Sequence, residues 1–142
     1  MNTTDVVYSE KSAPNVWISG LIGGALALVL ALALLVVAGL LGISLQVSFG
    51  PPGSSPLIPL TAAQIIPTVL VPTLVATVFY AVLQRFFPQR ASRIFQIIAV
   101  VILLLSFGGP LSLAIPTVSK IFMALMHIAT AVAIVWALTL RK

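Results

Sequence analysis

Residues 16–43 read VWISGLIGGALALVLALALLVVAGLLGI, with no charged side chain. At about 1.5 Å of rise per residue an α-helix of this length extends roughly 42 Å, against a bilayer hydrocarbon core of roughly 30 Å. The stretch predicts a helix that crosses a membrane and tilts or projects beyond the lipid. A cleaved signal peptide has a basic start and an apolar core about half as long, whereas Asp5 and Glu10 precede this run. The helix is therefore expected to be retained, with residues 1–15 a polar cytoplasmic tail.

Charge stays absent well beyond this helix: from Ser12 through Gln84 there is no Asp, Glu, Lys, Arg or His. The chain of 142 residues is 61% hydrophobic and 6% charged, with a mean hydropathy of +1.24. So few charges do not solvate a surface, and the expected solvent for most of the chain is lipid. The net charge of +5 does not signal nucleic-acid binding, because the basic residues punctuate apolar runs instead of forming a stripe. Cysteine is absent, which excludes disulfides and thiol chemistry.

Three further spans follow. Ser44 to Leu60 carries Gly50-Pro51-Pro52-Gly53, Pro56 and Pro59, residues that withhold backbone donors from helix and sheet and predict a structured loop. Thr61-Ala-Ala-Gln64 reads as a capping box opening a second helix over 61–84. Pro67 and Pro72 lie inside it and deprive the Ala63 and Thr68 carbonyls of their usual partners, which predicts a kink. A third span is expected over 94–113, bent at Ser106-Phe-Gly-Gly-Pro110, and a fourth over 120–140. The predicted fold class is all-α: a polytopic membrane protein forming a bundle of four transmembrane helices, 16–142, with no separate soluble domain.

Basic residues set the expected orientation. Lys11, Arg85, Arg90, Arg93, Arg141 and Lys142 fall on one side and Lys120 alone on the other; cytoplasmic flanks retain such residues during insertion. Both termini are then cytoplasmic and the proline-rich loop lies outside. Trp17, Trp136 and Tyr80 are expected near the cytoplasmic interface, where amphipathic rings gather.

Small residues recur at helical spacing, in Gly20-x-x-x-Gly24, in Gly23 with Ala27 and Ala31, and in Ala129, Ala133 and Ala137. Such ridges let backbones approach closely in lipid, within the bundle or against another subunit. Thr73, Thr77, Tyr80 and Gln84 share one helical face; they line a polar path, or their hydroxyls bond back to their own helix.

His127 is the one titratable group expected deep in the membrane, about 10 Å below the outer start of its helix. The same ruler puts Thr68 about 10 Å and Ser106 about 12 Å from that surface. A candidate polar layer of His127, Ser106 and Thr68 follows, either a structural hydrogen-bonding level or a ligand or proton site. Arg85, Arg90 and Arg93, with Phe86 and Phe87 between them, are candidate contacts to acidic lipid headgroups. No carboxylate lies in any span, one histidine does not make a metal or haem site, and no nucleophile-base set or phosphate loop occurs. No catalytic residue, metal or cofactor is expected.

Val47-x-Phe49-Gly-Pro-Pro-Gly53, Leu105-Ser-x-Gly-Gly-Pro110, Lys120 leading to Met126-His127, and Arg93 at the start of the third span together resemble a family of uncharacterised small bacterial membrane proteins with four helices. The resemblance runs from about Val16 to the C terminus. It implies the four-span arrangement and a bacterial plasma membrane, and carries no activity, substrate or catalytic residue. The chain departs from it in placing Pro67 and Pro72 in the second span. The expected function is that of a non-enzymatic accessory or interaction subunit, its partners the lipid bilayer and another membrane protein or a second copy of itself, with no nucleic acid. The alternative is a small channel, carrier, or apolar-ligand or lipid binder built on the layer around His127.

Overall fold

In the computed structural model the described residues are 15–48 and 56–140. The N-terminal tail with Lys11, the Phe49-Gly-Pro-Pro-Gly53 motif, and Arg141 and Lys142 lie outside them. Among the described residues the chain runs α1 (Val16–Leu40), β1 (Gln46–Val47), β2 (Ile58–Pro59), α2 (Ala62–Phe86), α3 (Ala91–Ser106), α4 (Gly108–Ser112) and α5 (Thr117–Val135), which widens into a π-helical turn over Trp136–Leu140. It is an all-α bundle of four helical spans, α4 completing the third. Each span is long and apolar enough to cross a membrane, and Leu21, Leu40 and Leu105 are 75%, 83% and 74% exposed. Water does not tolerate so continuous an apolar surface, whereas lipid solvates it.

Local chemistry sets the ends. The Asn15 side chain accepts from the Trp17 amide at 3.0 Å and starts α1. α1 stops at Leu40, short of the expected Ile43, because Gly42 takes a φ of +69°. The Ile43 amide then reaches back to the Ala38 carbonyl at 2.9 Å and the Gly42 amide to the Gly39 carbonyl at 3.0 Å. These paired bonds close a helix around a left-handed residue, which glycine adopts without a Cβ clash. At the start of α2 the Gln64 side chain accepts from the Thr61 amide at 2.8 Å, as the capping box predicts. α2 runs unbroken through Pro67 and Pro72.

Two expectations on local structure change. The loop after α1 does form a small sheet: Gln46–Val47 pairs antiparallel with Ile58–Pro59, and the Leu60 amide donates to the Leu45 carbonyl at 2.8 Å. Proline is tolerated because the ladder is only two residues long and both strands are edges. α3 starts at Ala91 and α5 at Thr117, each three residues ahead of the expected 94 and 120. Arg93 and Lys120 thus sit within first turns.

α1 is the hub, packing along α2 and α5, while α2 and α5 scarcely meet. Glycines on α1 permit this: a Cβ on Gly20 would collide with the Thr77 side chain, one on Gly24 would come within 2.9 Å of Thr73 Cγ2, and one on Gly23 within 2.9 Å of Ala137 Cβ. The small-residue ridges thus pack inside the bundle. Thr73 and Thr77 donate to the Val69 and Thr73 carbonyls at 2.7 and 2.8 Å, so their hydroxyls are bound to their own helix.

α3 joins α2 and α5 mainly at the end near the α2–α3 turn. There Tyr80 is 3% exposed, its ring edge-on to Phe95 with centroids 5.1 Å apart. Tyr80 is therefore a core residue and not an interfacial anchor, because its hydroxyl finds Ser92 Oγ at 2.9 Å. Gln96 Nε2 donates to Thr139 Oγ1 at 3.1 Å, tying α3 to the end of the last helix. Beyond Ala99, α3 buries none of its residues.

Candidate functional site

At the other end of the bundle, nearer the β1–β2 hairpin, α2 and α5 stand apart over α1. The space between them is a half-open groove with a cavity of about 210 Å³. Ala31 of α1 lines it between the two helices, and Val47 and Leu60 of the hairpin contribute on one side. Ile65, Thr68 and Val69 come from α2, and Met123, Met126, His127 and Thr130 from α5. The hairpin is tied to α5 close by: the buried Ser119 hydroxyl donates to the Ser44 carbonyl at 3.1 Å.

Helical spacing explains the α5 contribution. Positions 123, 126, 127 and 130 follow steps of three, one and three, and so fall on one face. Buried Met123 and Met126 supply flexible, polarisable walls. His127 is half-buried between them and the start of α4, its ring edge-on to Phe107 with centroids 6.4 Å apart.

The polar atoms of the groove share one orientation. His127 Nδ1 lies 2.7 Å from the Met123 carbonyl. A carbonyl oxygen only accepts, so Nδ1 carries the hydrogen, and in the neutral ring Nε2 is an acceptor. Nε2 has no side-chain or backbone partner among the described residues and remains accessible. Thr68 Oγ1 donates to the Gln64 and Ile65 carbonyls at 2.8 and 2.9 Å. Thr130 Oγ1 donates to the Met126 and His127 carbonyls at 2.8 and 3.1 Å. Each hydroxyl hydrogen is directed into its own helix, which leaves oxygen lone pairs. Pro72 also withholds the amide that the Thr68 carbonyl would otherwise receive.

Of the sequence-derived polar layer, the structure brings Thr68 and His127 to one groove. Ser106 is not among the lining residues, and its hydroxyl donates to the Leu103 carbonyl at 2.7 Å. Arg85, Arg90 and Arg93 lie together at the α2–α3 turn, all exposed, alongside Phe86 and Phe87 at 69% and 53% exposure. Both acidic residues of the chain, Asp5 and Glu10, lie outside the described residues.

Residues 11–142 match the sequence profile of a family of unknown function, DUF6069. The chain belongs to DUF6069. No curated protein and no solved structure matches it. The DUF6069 match takes in every residue lining the groove and the whole arginine turn, so both lie within the family's own span. Sequence reasoning missed Thr130 as a partner of His127, although an i, i+3 spacing on an apolar helix was available to flag it. It also missed Phe107, which reaches His127 only because α3 breaks at Ser106 and α4 turns toward α5.

Proposed function

We propose that this DUF6069 chain is a non-enzymatic, multi-pass protein of a bacterial plasma membrane that admits a small apolar molecule from the bilayer into the groove beside His127. The groove carries this reading. At about 210 Å³ it exceeds the roughly 150 Å³ cavity that holds benzene and falls below the roughly 300 Å³ of drug-sized pockets. It suits the head and first carbons of a lipid-like molecule whose remainder stays in the membrane. Thr68 on its wall is exposed on the outside of the bundle, so access is from lipid. Its two hydroxyls and its imidazole are each held by a carbonyl of their own helix, which supports binding over nucleophilic catalysis.

Thr68→Phe tests the reading, since a ring at this exposed position fills the groove without entering the core. Native mass spectrometry of protein extracted gently from its membrane is expected to find a bound small molecule on the wild type and its loss on the variant. The same adduct on both proteins would remove the groove from consideration. An interaction subunit is the other reading, supported by exposed Val100, Val101, Ile102, Leu104 and Leu105 of α3; lipid covers such a face equally well, whereas the groove supports the first reading alone.

The proposed orientation has both termini in the cytoplasm, supported by six basic residues against one across the flanks of the spans. With no native cysteine, Gln89→Cys gives a clean probe of the α2–α3 turn. A membrane-impermeant thiol reagent should label it only after the inner face is opened, and labelling of intact cells reverses the assignment.

A further inference from the structure

The polarity of the groove specifies its ligand more narrowly than its size does. Seven of the ten lining residues are apolar, and the other three are Thr68, His127 and Thr130. The hydrogens of both hydroxyls and the Nδ1 hydrogen of the imidazole point to backbone carbonyls within their own helices. What remains for a ligand is a set of acceptors: imidazole Nε2 and two hydroxyl oxygens. A site made of acceptors leaves a second acceptor unpaired and receives a donor.

Resting on the reading of the groove as an apolar-ligand site, we infer that it selects an aliphatic lipid alcohol, whose hydroxyl donates to His127 Nε2 while its chain passes out past Thr68 into the bilayer. The competing lipid chemistries fit less well. A hydrocarbon or ether leaves Nε2 desolvated and unpaired. An ionised fatty acid brings only acceptors and a charge next to apolar walls, which is costly at this depth. An ammonium donates, but carries a full charge into a groove in which no lining residue is anionic. A neutral hydroxyl is the donor that enters at least cost.

His127 is the single histidine of the chain, so ¹⁵N-histidine labelling gives one unambiguous imidazole, and ¹³C-methyl methionine reports Met123 and Met126 in the groove wall. In phosphatidylcholine nanodiscs at alkaline pH, the unliganded protein should show hydrogen on Nδ1 and none on Nε2. Adding 1-dodecanol should move both the methionine methyl and the Nε2 signals. Dodecyl methyl ether should move the methyl signals only at about tenfold higher membrane concentration, the ratio one hydrogen bond supplies. His127→Leu should bring the alcohol and ether responses of the methyl groups to the same concentration.

Equal responses to alcohol and ether in the wild type, with Nε2 unmoved, overturn the selection of a donor and leave an apolar groove standing. Methyl signals that respond to neither compound overturn the groove reading and the inference with it. Hydrogen found on Nε2 instead of Nδ1 in the unliganded ring overturns the inference alone.

Discussion

The two ends of the bundle differ in which polar side chains join helix to helix. Near the α2–α3 turn, Thr77 and Thr139 donate within their own helices, but Tyr80 bonds to Ser92 and Gln96 to Thr139 between helices. Near the hairpin, Thr68, Ser106, His127 and Thr130 each bond a carbonyl of their own helix. The first pattern holds helices together, and the second satisfies hydrogens while leaving acceptors over. Glycine follows the same division. Gly20, Gly23 and Gly24 sit where a Cβ would strike a neighbouring helix, whereas Gly39, at the hairpin end of α1, has nothing within 4 Å of that position. In lipid, helices gain little from burying apolar surface against one another, so close packing and interhelical hydrogen bonds decide where they close. The end with the glycine contacts is shut, and the groove lies toward the other, where Ser119 and Lys120 bond across elements but the hydroxyls and imidazole lining the groove do not.

This contrast is easiest to break at its closed end. Gly20→Ala forces the Thr77 side chain to move and is expected to lower unfolding stability in detergent by about 1–3 kcal/mol, as overpacking does. Thermal unfolding followed by circular dichroism reads it, and an unchanged midpoint contradicts the close approach of α1 to α2. Tyr80→Phe removes only the hydroxyl that meets Ser92 and should cost about 1 kcal/mol by the same assay. His127→Leu should have the smallest effect on stability, within about 0.5 kcal/mol, because its bond to Met123 joins no two helices. A destabilisation as large as that of Gly20→Ala would make His127 a structural element of the bundle and erase the distinction between the two ends.

Much of this was legible in the residues. The four spans, the capping box at Thr61, the break after Ser106 and the glycine ridge all follow from local rules, each depending on a few neighbouring positions. Rise per residue also gives each residue an expected height along its helix. Thr68, Ser106 and His127 were placed at one level by that ruler, yet only Thr68 and His127 line the same groove. Tyr80 shows the converse: its position near a helix end predicts an interfacial ring, and packing against Phe95 makes it core.

The sequence by itself determined that the chain forms four apolar helices, with a capping box at Thr61 and a break after Ser106. A bilayer demands long apolar runs and internal satisfaction of the backbone, and both demands are written in consecutive residues. The tertiary structure alone decided which polar groups face one another. That depends on the rotation of each helix about its axis and on how far α3 stands from its neighbours. The glycine contacts of α1 and the Tyr80 and Gln96 bonds set both, and these join residues far apart in the chain. The groove beside His127 exists because those constraints act at one end of the bundle and not at the other.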